Sequence, residues 1–232
     1  MPIECMQGSM VTFESILMFL GSTVCHQLPE RSYIFDGSQM PLCARCIGIH
    51  FGFVLSTLFF LTGSRRFASG LPGTKQMIVL GAIMSFFLVD AGLSYSGIST
   101  SDNLRRTLSG LSLGVPFPFV IYPLLNTILF PARNPRVMLL NPLDWGWLAG
   151  LFGLGAVLIL SATHFALVFY LVSVIGVIGV FVFFTALLSV ILSLLMENKP
   201  FSASRKVAGA ALLAVVVLMI LATVHEEFFP TI

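Results

Sequence analysis

Apolar residues fall in long blocks along this chain, with polar residues gathered between them. Six blocks are long enough to cross the hydrocarbon core of a bilayer as helices: 47–63, 76–98, 107–130, 145–162, 165–195 and 207–224. Such a helix needs about 20 mostly apolar residues, within a range of about 17–25. A seventh, weaker block covers 5–24 and contains Glu14, so it either spans or lies in the interface with Glu14 toward water. It does not read as a signal peptide, because its start holds Glu4 and no Lys or Arg. The block 165–195 is long for one span and holds Gly176 and Gly179, so tilt, a kink or protrusion must absorb the excess. Pro116, Pro118 and Pro123 lie inside one block and predict a kink there, for packing or as a gating hinge.

Composition agrees with this pattern. Hydrophobic residues make up 57% and charged residues 9% of 232, whereas soluble domains carry about a quarter charged residues. A soluble globular protein and a disordered chain are both excluded. The net charge of +2, from 12 Lys+Arg and 10 Asp+Glu, is too small and scattered for a nucleic-acid partner. The expected fold class is all-α, a polytopic transmembrane bundle of six to seven helices whose partner is the lipid bilayer. No repeat or linker divides the chain, so one integral membrane domain is expected over 1–232, with a polar block at 25–106 and a generic helical block at 107–232.

Charge alternates between successive loops. One side receives Arg65, Arg66, Lys75, Arg133, Arg136, Lys199, Arg205 and Lys206. The other receives 25–46, 99–106, the turn at Thr163–His164, and the tail with Glu226 and Glu227. Basic loops stay in the cytoplasm, which makes the second set external. Arg31, Arg45, Arg105 and Arg106 run against this trend and invite a functional reading. Trp145 and Trp147 open a span at the cytoplasmic interface, where indoles prefer to sit. Asn134-Pro135-Arg136 and Asn141-Pro142 read as turns.

Three of the four cysteines fall in the external loop: Cys25-His26, then Cys43-Ala44-Arg45-Cys46 after sixteen residues. Three thiolates and an imidazole suit tetrahedral Zn²⁺, with Cys25, His26, Cys43 and Cys46 as ligands. Adjacent residues ligate one metal awkwardly, which leaves open that Cys25 or His26 serves chemistry instead. A redox-active Cys43–Cys46 pair and a purely structural disulfide are the alternatives. Cys5 reads as an apolar residue near the N-terminus. Asp90 lies in the external third of its span, where a carboxylate faces a cavity or a partner. Asp102 is a candidate helix N-cap. Asn103 and Arg106 share one face of the following helix and point back toward Asp90 and the cysteine loop, with Arg106 beside Asp90 as an ion pair or an anion contact. His50, one turn beyond Cys46, is a further ligand, a proton carrier or a hydrogen-bonded core residue. His164 and His225 read as interfacial.

Cys25-His26-Gln27-Leu28-Pro29-Glu30-Arg31-Ser32, followed by Cys43-Ala44-Arg45-Cys46-Ile47-Gly48, resembles the hallmark of a family of prokaryotic integral membrane proteins catalogued as domain of unknown function 2085. Asp90-Ala91-Gly92, Asn103-Leu104-Arg105-Arg106, Ser109-Gly110 and Gly114 resemble its second polar block. Where the family pattern often carries a Gln after the aspartate, this chain has Ser94-Tyr95-Ser96, which removes that position as a ligand. The resemblance covers roughly 12–130. It implies a membrane protein, in a prokaryotic cell membrane, with a shared polar site and no established activity.

Three functions remain open. The first is a zinc-dependent hydrolase or transferase acting on an amphiphilic, anionic substrate at the external face. There Glu30 or Asp90 would be the catalytic general base, and Arg31, Arg45, Asn103 and Arg106 would hold the substrate. The second is a thiol–disulfide oxidoreductase using Cys43 and Cys46. The third is a transporter or non-catalytic membrane subunit whose cluster only staples the loop. The charge alternation predicts that an impermeant amine reagent leaves Lys75 unlabelled in intact cells and labels it after permeabilisation; labelling from outside reverses the orientation.

Overall fold

The computed structural model describes residues 3–61, 68–129, 136–137, 141–195 and 203–228. Arg65, Arg66, Arg133 and Lys199 lie outside the described residues, as do the side chains of Cys5, Arg136, Glu226 and Glu227. The helices are α1 (Ile3–Ser22), α2 (Ala44–Leu61), α3 (Thr74–Tyr95), α4 (Asn103–Gly114), α5 (Pro118–Leu129), α6 (Pro142–Ser161), α7 (Ala166–Leu195) and α8 (Ala203–Phe228). Among the described residues six segments are long and apolar enough to cross a membrane, with α4 and α5 counting as one, Asn103–Thr127. The all-α transmembrane bundle expected from the sequence is therefore the architecture found. Within α1 (20 residues) side chains are described for Phe13–Ser22, an apolar stretch. Glu14 on α1 accepts hydrogen bonds from Tyr170 (2.7 Å) and Ser38 (3.1 Å), so it ties α1 to α7 and the cysteine loop instead of turning to water.

Helix α2 lies at the centre, against α4, α7 and α6. Its contact with α4 is the most extensive in the molecule, and glycine makes it possible. A methyl group at Gly110 would run into the carbonyl oxygen of Arg45, one at Gly114 into that of Ile49, and one at Gly48 into that of Thr107. Small residues let membrane helices approach backbone to backbone, where dispersion replaces the hydrophobic effect as the driving force. The same device joins α2 to α7: Gly179 abuts the His50 carbonyl, and Gly176 receives the Ile47 side chain. These two glycines thus serve packing within an uninterrupted 30-residue helix. At about 1.5 Å per residue it is about 45 Å long, so tilt or protrusion accommodates it.

The proline cluster breaks the α4–α5 span at Val115–Phe117, where a turn separates the two helices. Phe117 at the break stacks on Phe183 of α7, and Phe183 also meets Phe53 edge-on at 5.2 Å. At the end of the bundle bearing the N-terminus of α6, Trp147 packs on Phe59 at 5.4 Å, and a short parallel pair joins β3 (Ala68–Gly70) to β4 (Arg136–Val137). Asn126 and Thr127 donate to the carbonyls of Ala68 and Ser69 there.

The opposite end carries the polar chemistry. The loop between α1 and α2 folds as a 3-10 turn at Pro29–Arg31 and a hairpin of β1 (Ile34–Phe35) with β2 (Ser38–Gln39). Its turn residues, Asp36 and Gly37, have φ of 46° and 81°, the left-handed pair that a two-residue hairpin demands. Phe35 rests on Phe169 of α7, Tyr33 reaches Asn103 of α4, and His26 faces His225 of α8. The segments assigned by charge to one face of the membrane thus meet at one end of the bundle.

Gly110→Ala should destabilise the protein by at least about 1–3 kcal/mol through overpacking, whereas Gly81→Ala, where an added methyl meets open space, should change little. Unfolding midpoints of the two variants in the same detergent check this.

Candidate metal centre

Cys25 ends the chain's exit from α1, and Cys43 and Cys46 open α2. Their three sulfurs lie within 4.8 Å of one another, and all three are free thiols. Local backbone geometry builds this convergence. Gln27 adopts a left-handed φ of 51°, which folds the chain back so that its own N–H donates to the Cys25 sulfur at 3.4 Å. The N–H of Cys43 donates to the same sulfur at 3.2 Å. The Gln27 side chain locks the turn by donating through Nε2 to the carbonyls of Met18 (2.6 Å) and Pro41 (2.9 Å). Gln39 adds a bond to the Gln27 carbonyl at 2.6 Å.

Cys43 occupies the N-terminal edge of α2, where backbone N–H groups and the helix dipole favour negative charge. Hydrogen bonds from the Cys25 and Cys46 thiols, and then from the backbone at Cys46 and Arg45, hold its thiol far below the ordinary range. Cys25 shifts the other way: donation to Cys43 and burial keep its proton on. The negative charge is thus favoured at Cys43 over Cys25.

A cavity of about 190 Å³ opens beside the sulfurs, with His26, Gln27, Arg31 and Tyr95 among its walls. His26 is exposed and lies outside the group of three sulfurs, its ring set edge-on to His225 at 5.7 Å. The structure thus brings together three of the four expected ligands. Glu30 sits on the 3-10 turn, 65% exposed and 3.8 Å from Arg31, and does not line the cavity. His50 is buried, edge-on to Phe183 at 5.4 Å, with Nδ1 unpartnered, and stands outside the sulfur group as a core residue.

Asp90 is fully buried and draws four donors. Arg45 reaches one oxygen at 2.5 Å and Arg105 the other at 2.7 Å. Ser109 and Ser101 donate to the same two oxygens at 2.9 and 3.1 Å. The carboxylate is therefore fully engaged, which leaves it poorly placed to accept a proton from substrate. Its expected partner Arg106 is not in this set. Arg105 and Ser109 are four residues apart on the face of α4 that meets α3, whereas Asn103, Thr107 and Gly110 line the face toward α2 and the loop. Asn103 donates to the Ser32 carbonyl at 3.2 Å and accepts from Arg106 at 3.3 Å. Tyr33 links the same face by sharing a hydrogen bond with Thr107 at 2.8 Å. Asp102 caps α4 by accepting from the Arg105 N–H at 2.7 Å. Arg106 has no carboxylate partner among the described residues and stands within electrostatic reach of Arg31, Arg45, Cys43 and Asp90. Arg45, committed to Asp90, lies 5.7 Å from the centre of the Tyr95 ring.

The three cysteines, Asp90 and the arginines and serines around it, from Cys25 to Ser109, fall in one stretch of chain. Residues 25–120 match the family model described as predicted membrane protein, DUF2085. An uncharacterized protein of Methanocaldococcus jannaschii is 28% identical over 119 residues, covering 51% of this chain and 74% of the relative. An uncharacterized protein of Methanothermobacter thermautotrophicus is 29% identical over 92 residues, covering 40% of this chain and 78% of the relative. No solved structure matches the chain. The DUF2085 stretch carries the sulfurs, the Asp90 network and the glycines of the α2–α4 contact, so the resemblance drawn from its two polar blocks holds. Helices α6 to α8 lie beyond it and support the site from outside, through Phe169, Gly179 and His225.

Sequence reasoning singled out Asp90 and Arg45 but did not pair them, and it did not select Ser101 or Ser109. The spacing of Arg105 and Ser109 on α4 was the available signal. Asp90→Asn should cost about 3–5 kcal/mol, because it leaves the buried Arg45 charge uncompensated. Arg105→Gln should cost much less, since its side chain is 37% exposed and solvent screens that pair. Unfolding midpoints of the two variants, measured side by side, check the ranking.

Proposed function

We propose that this protein is a membrane enzyme whose polar site lies on the external side of a prokaryotic cell membrane. Cys25, Cys43 and Cys46 hold Zn²⁺ there. The observation that carries this reading is the convergence of three thiols around a sulfur that already accepts two backbone N–H bonds, a donor set that favours thiolate and suits a soft or borderline metal. The cavity beside the sulfurs leaves room for a further ligand, as catalytic rather than structural zinc sites do, and speaks for chemistry over a sealed loop staple. Zinc bound there supplies Lewis acidity to an oxygen of the substrate.

The remaining roles belong to the protein's own groups. Arg31 on the cavity wall offers guanidinium donors to an anionic head group, and Arg106, within electrostatic reach of Arg31 and Cys43, adds positive potential. Arg45 is held by Asp90 and sets the positive potential without direct contact. Asn103 orients Arg106. Glu30, beside Arg31, is the remaining candidate for moving a proton. The reaction is hydrolysis or group transfer on an amphiphilic anion.

The position of Cys43 at the start of α2, with Cys46 one turn on, favours a second reading: a thiol–disulfide oxidoreductase. Elemental analysis of protein purified without chelators, together with a thiol count, separates the two. One zinc per chain supports the first reading; a reversible Cys43–Cys46 disulfide without metal supports the second. Cys43→Ser and Cys46→Ser should each lose the metal, whereas Glu30→Gln should retain it. Zinc affinity should rise with pH across the neutral and alkaline range. The raised Cys25 thiol still carries its proton at neutral pH, so binding must displace it. Competition titrations at several pH values, with proton release followed in parallel, check the sign.

A further inference from the structure

A second cavity, about 290 Å³, lies against the first and shares Val24, Cys25 and His26 with it. It is a groove between the end of α1, at Ser22–His26, and α8, at Leu221, Val224 and His225. Its walls are largely apolar, with the His26 and His225 rings as the polar members that remain. The Ser22 hydroxyl donates to the Phe19 carbonyl at 2.7 Å and the Thr23 hydroxyl to the Leu20 carbonyl at 2.8 Å, so both are spent on α1 itself. Leu221 and Val224 are 41% and 45% exposed on a helix that can cross the membrane, so this side of the groove faces the lipid.

A largely apolar groove on the lipid side is thus continuous, across Cys25, with a cavity that Arg31 helps to line. We infer that the groove between α1 and α8 admits the hydrocarbon chain of an anionic amphiphile from the bilayer, while its head group reaches the Arg31 side of the sulfur cavity. The two surfaces match the two halves of such a molecule, acyl or isoprenoid chain to groove and anion to arginine. The groove also removes the obstacle such a substrate meets. Drawing its head group into a protein site would otherwise bring chain methylenes into water, at a cost that grows with each one. This deepens the proposed function by assigning how the substrate enters, and it rests on that reading for the identity of the head group.

The test uses the full chain in phosphatidylcholine nanodiscs and dodecyl phosphate bearing a photoactivatable diazirine at the end of its chain. Labelling should concentrate in residues 22–25 and 221–225. Dodecanol with the same diazirine should label these residues at least tenfold less. Val224→Trp, and Leu221→Trp as a second variant at an exposed position, should each reduce labelling of residues 22–25 at least tenfold, and Arg31→Gln should reduce it as well. Labelling no stronger there than on lipid-facing Ile78, Leu88 and Val89 of α3, equal labelling by dodecanol, or indifference to both tryptophan variants overturns the inference. Zinc is counted on the same samples. A zinc-free protein that still shows tryptophan-sensitive labelling removes the metal reading and keeps the groove, while a zinc-loaded protein labelled only as bulk lipid does the reverse.

Discussion

A buried carboxylate fixes the polar end of this protein. Asp90 lies inside a span, where an isolated charge is costly, and it is compensated from two other helices, by Arg45 of α2 and Arg105 of α4. Helix α3 buries little else, only Leu80 besides Asp90. The ion pair is therefore the specific tie between a largely lipid-exposed helix and the bundle. Arg45 sits between Cys43 and Cys46, so the same bond that seats α3 also fixes the start of α2, on which two of the three sulfurs ride.

Glycine supplies the other half of this constraint. Arg45 and Arg105 can converge on one carboxylate only if α2 and α4 approach until backbone meets backbone, and Gly48, Gly110 and Gly114 permit that approach. Electrostatics and close packing are thus coupled. Membrane helices gain little from hydrophobic association in lipid, so specificity must come from contacts of these two kinds. The loop between α1 and α2 is then clamped on the bundle by Tyr33 and Asn103 on one side and by Glu14 with Ser38 and Tyr170 on the other.

The arginines that contradict the charge alternation divide into two groups by this geometry. Arg45 and Arg105 are consumed by Asp90. Arg31 and Arg106 remain available: among the described residues Arg31 has an exposed 3.8 Å contact to Glu30, and the Arg106 side chain donates to Asn103. The positive character left at the site therefore comes from the second pair. A cluster of thiols at a helix start, an arginine on the cavity wall and a largely apolar groove thus lie side by side at this end of the bundle.

The spans and the cysteine, aspartate and arginine residues were legible in the sequence because each is a local signal. About 20 apolar residues in a row have one stable form in lipid, and a charge or a thiol among them stands out whatever its partners. The Asp36-Gly37 turn was equally local, and the hairpin it makes was readable though not read. Partnership was a different matter. Whether Asp90 met Arg105 or Arg106 depended on the rotation of α4 about its axis, which the glycine face toward α2 sets. Whether His26 joined the sulfurs depended on the left-handed turn at Gln27, which sends the imidazole toward α8 instead. Gly176 and Gly179 left tilt, a kink and protrusion equally open in the sequence, whereas the fold packs α2 against both. The groove between α1 and α8 joins segments about 200 residues apart in sequence, and no span of the chain by itself encodes it. Local composition settles what each segment is in a bilayer; which faces meet is decided only when the helices pack, because that choice belongs to pairs of surfaces and not to either one.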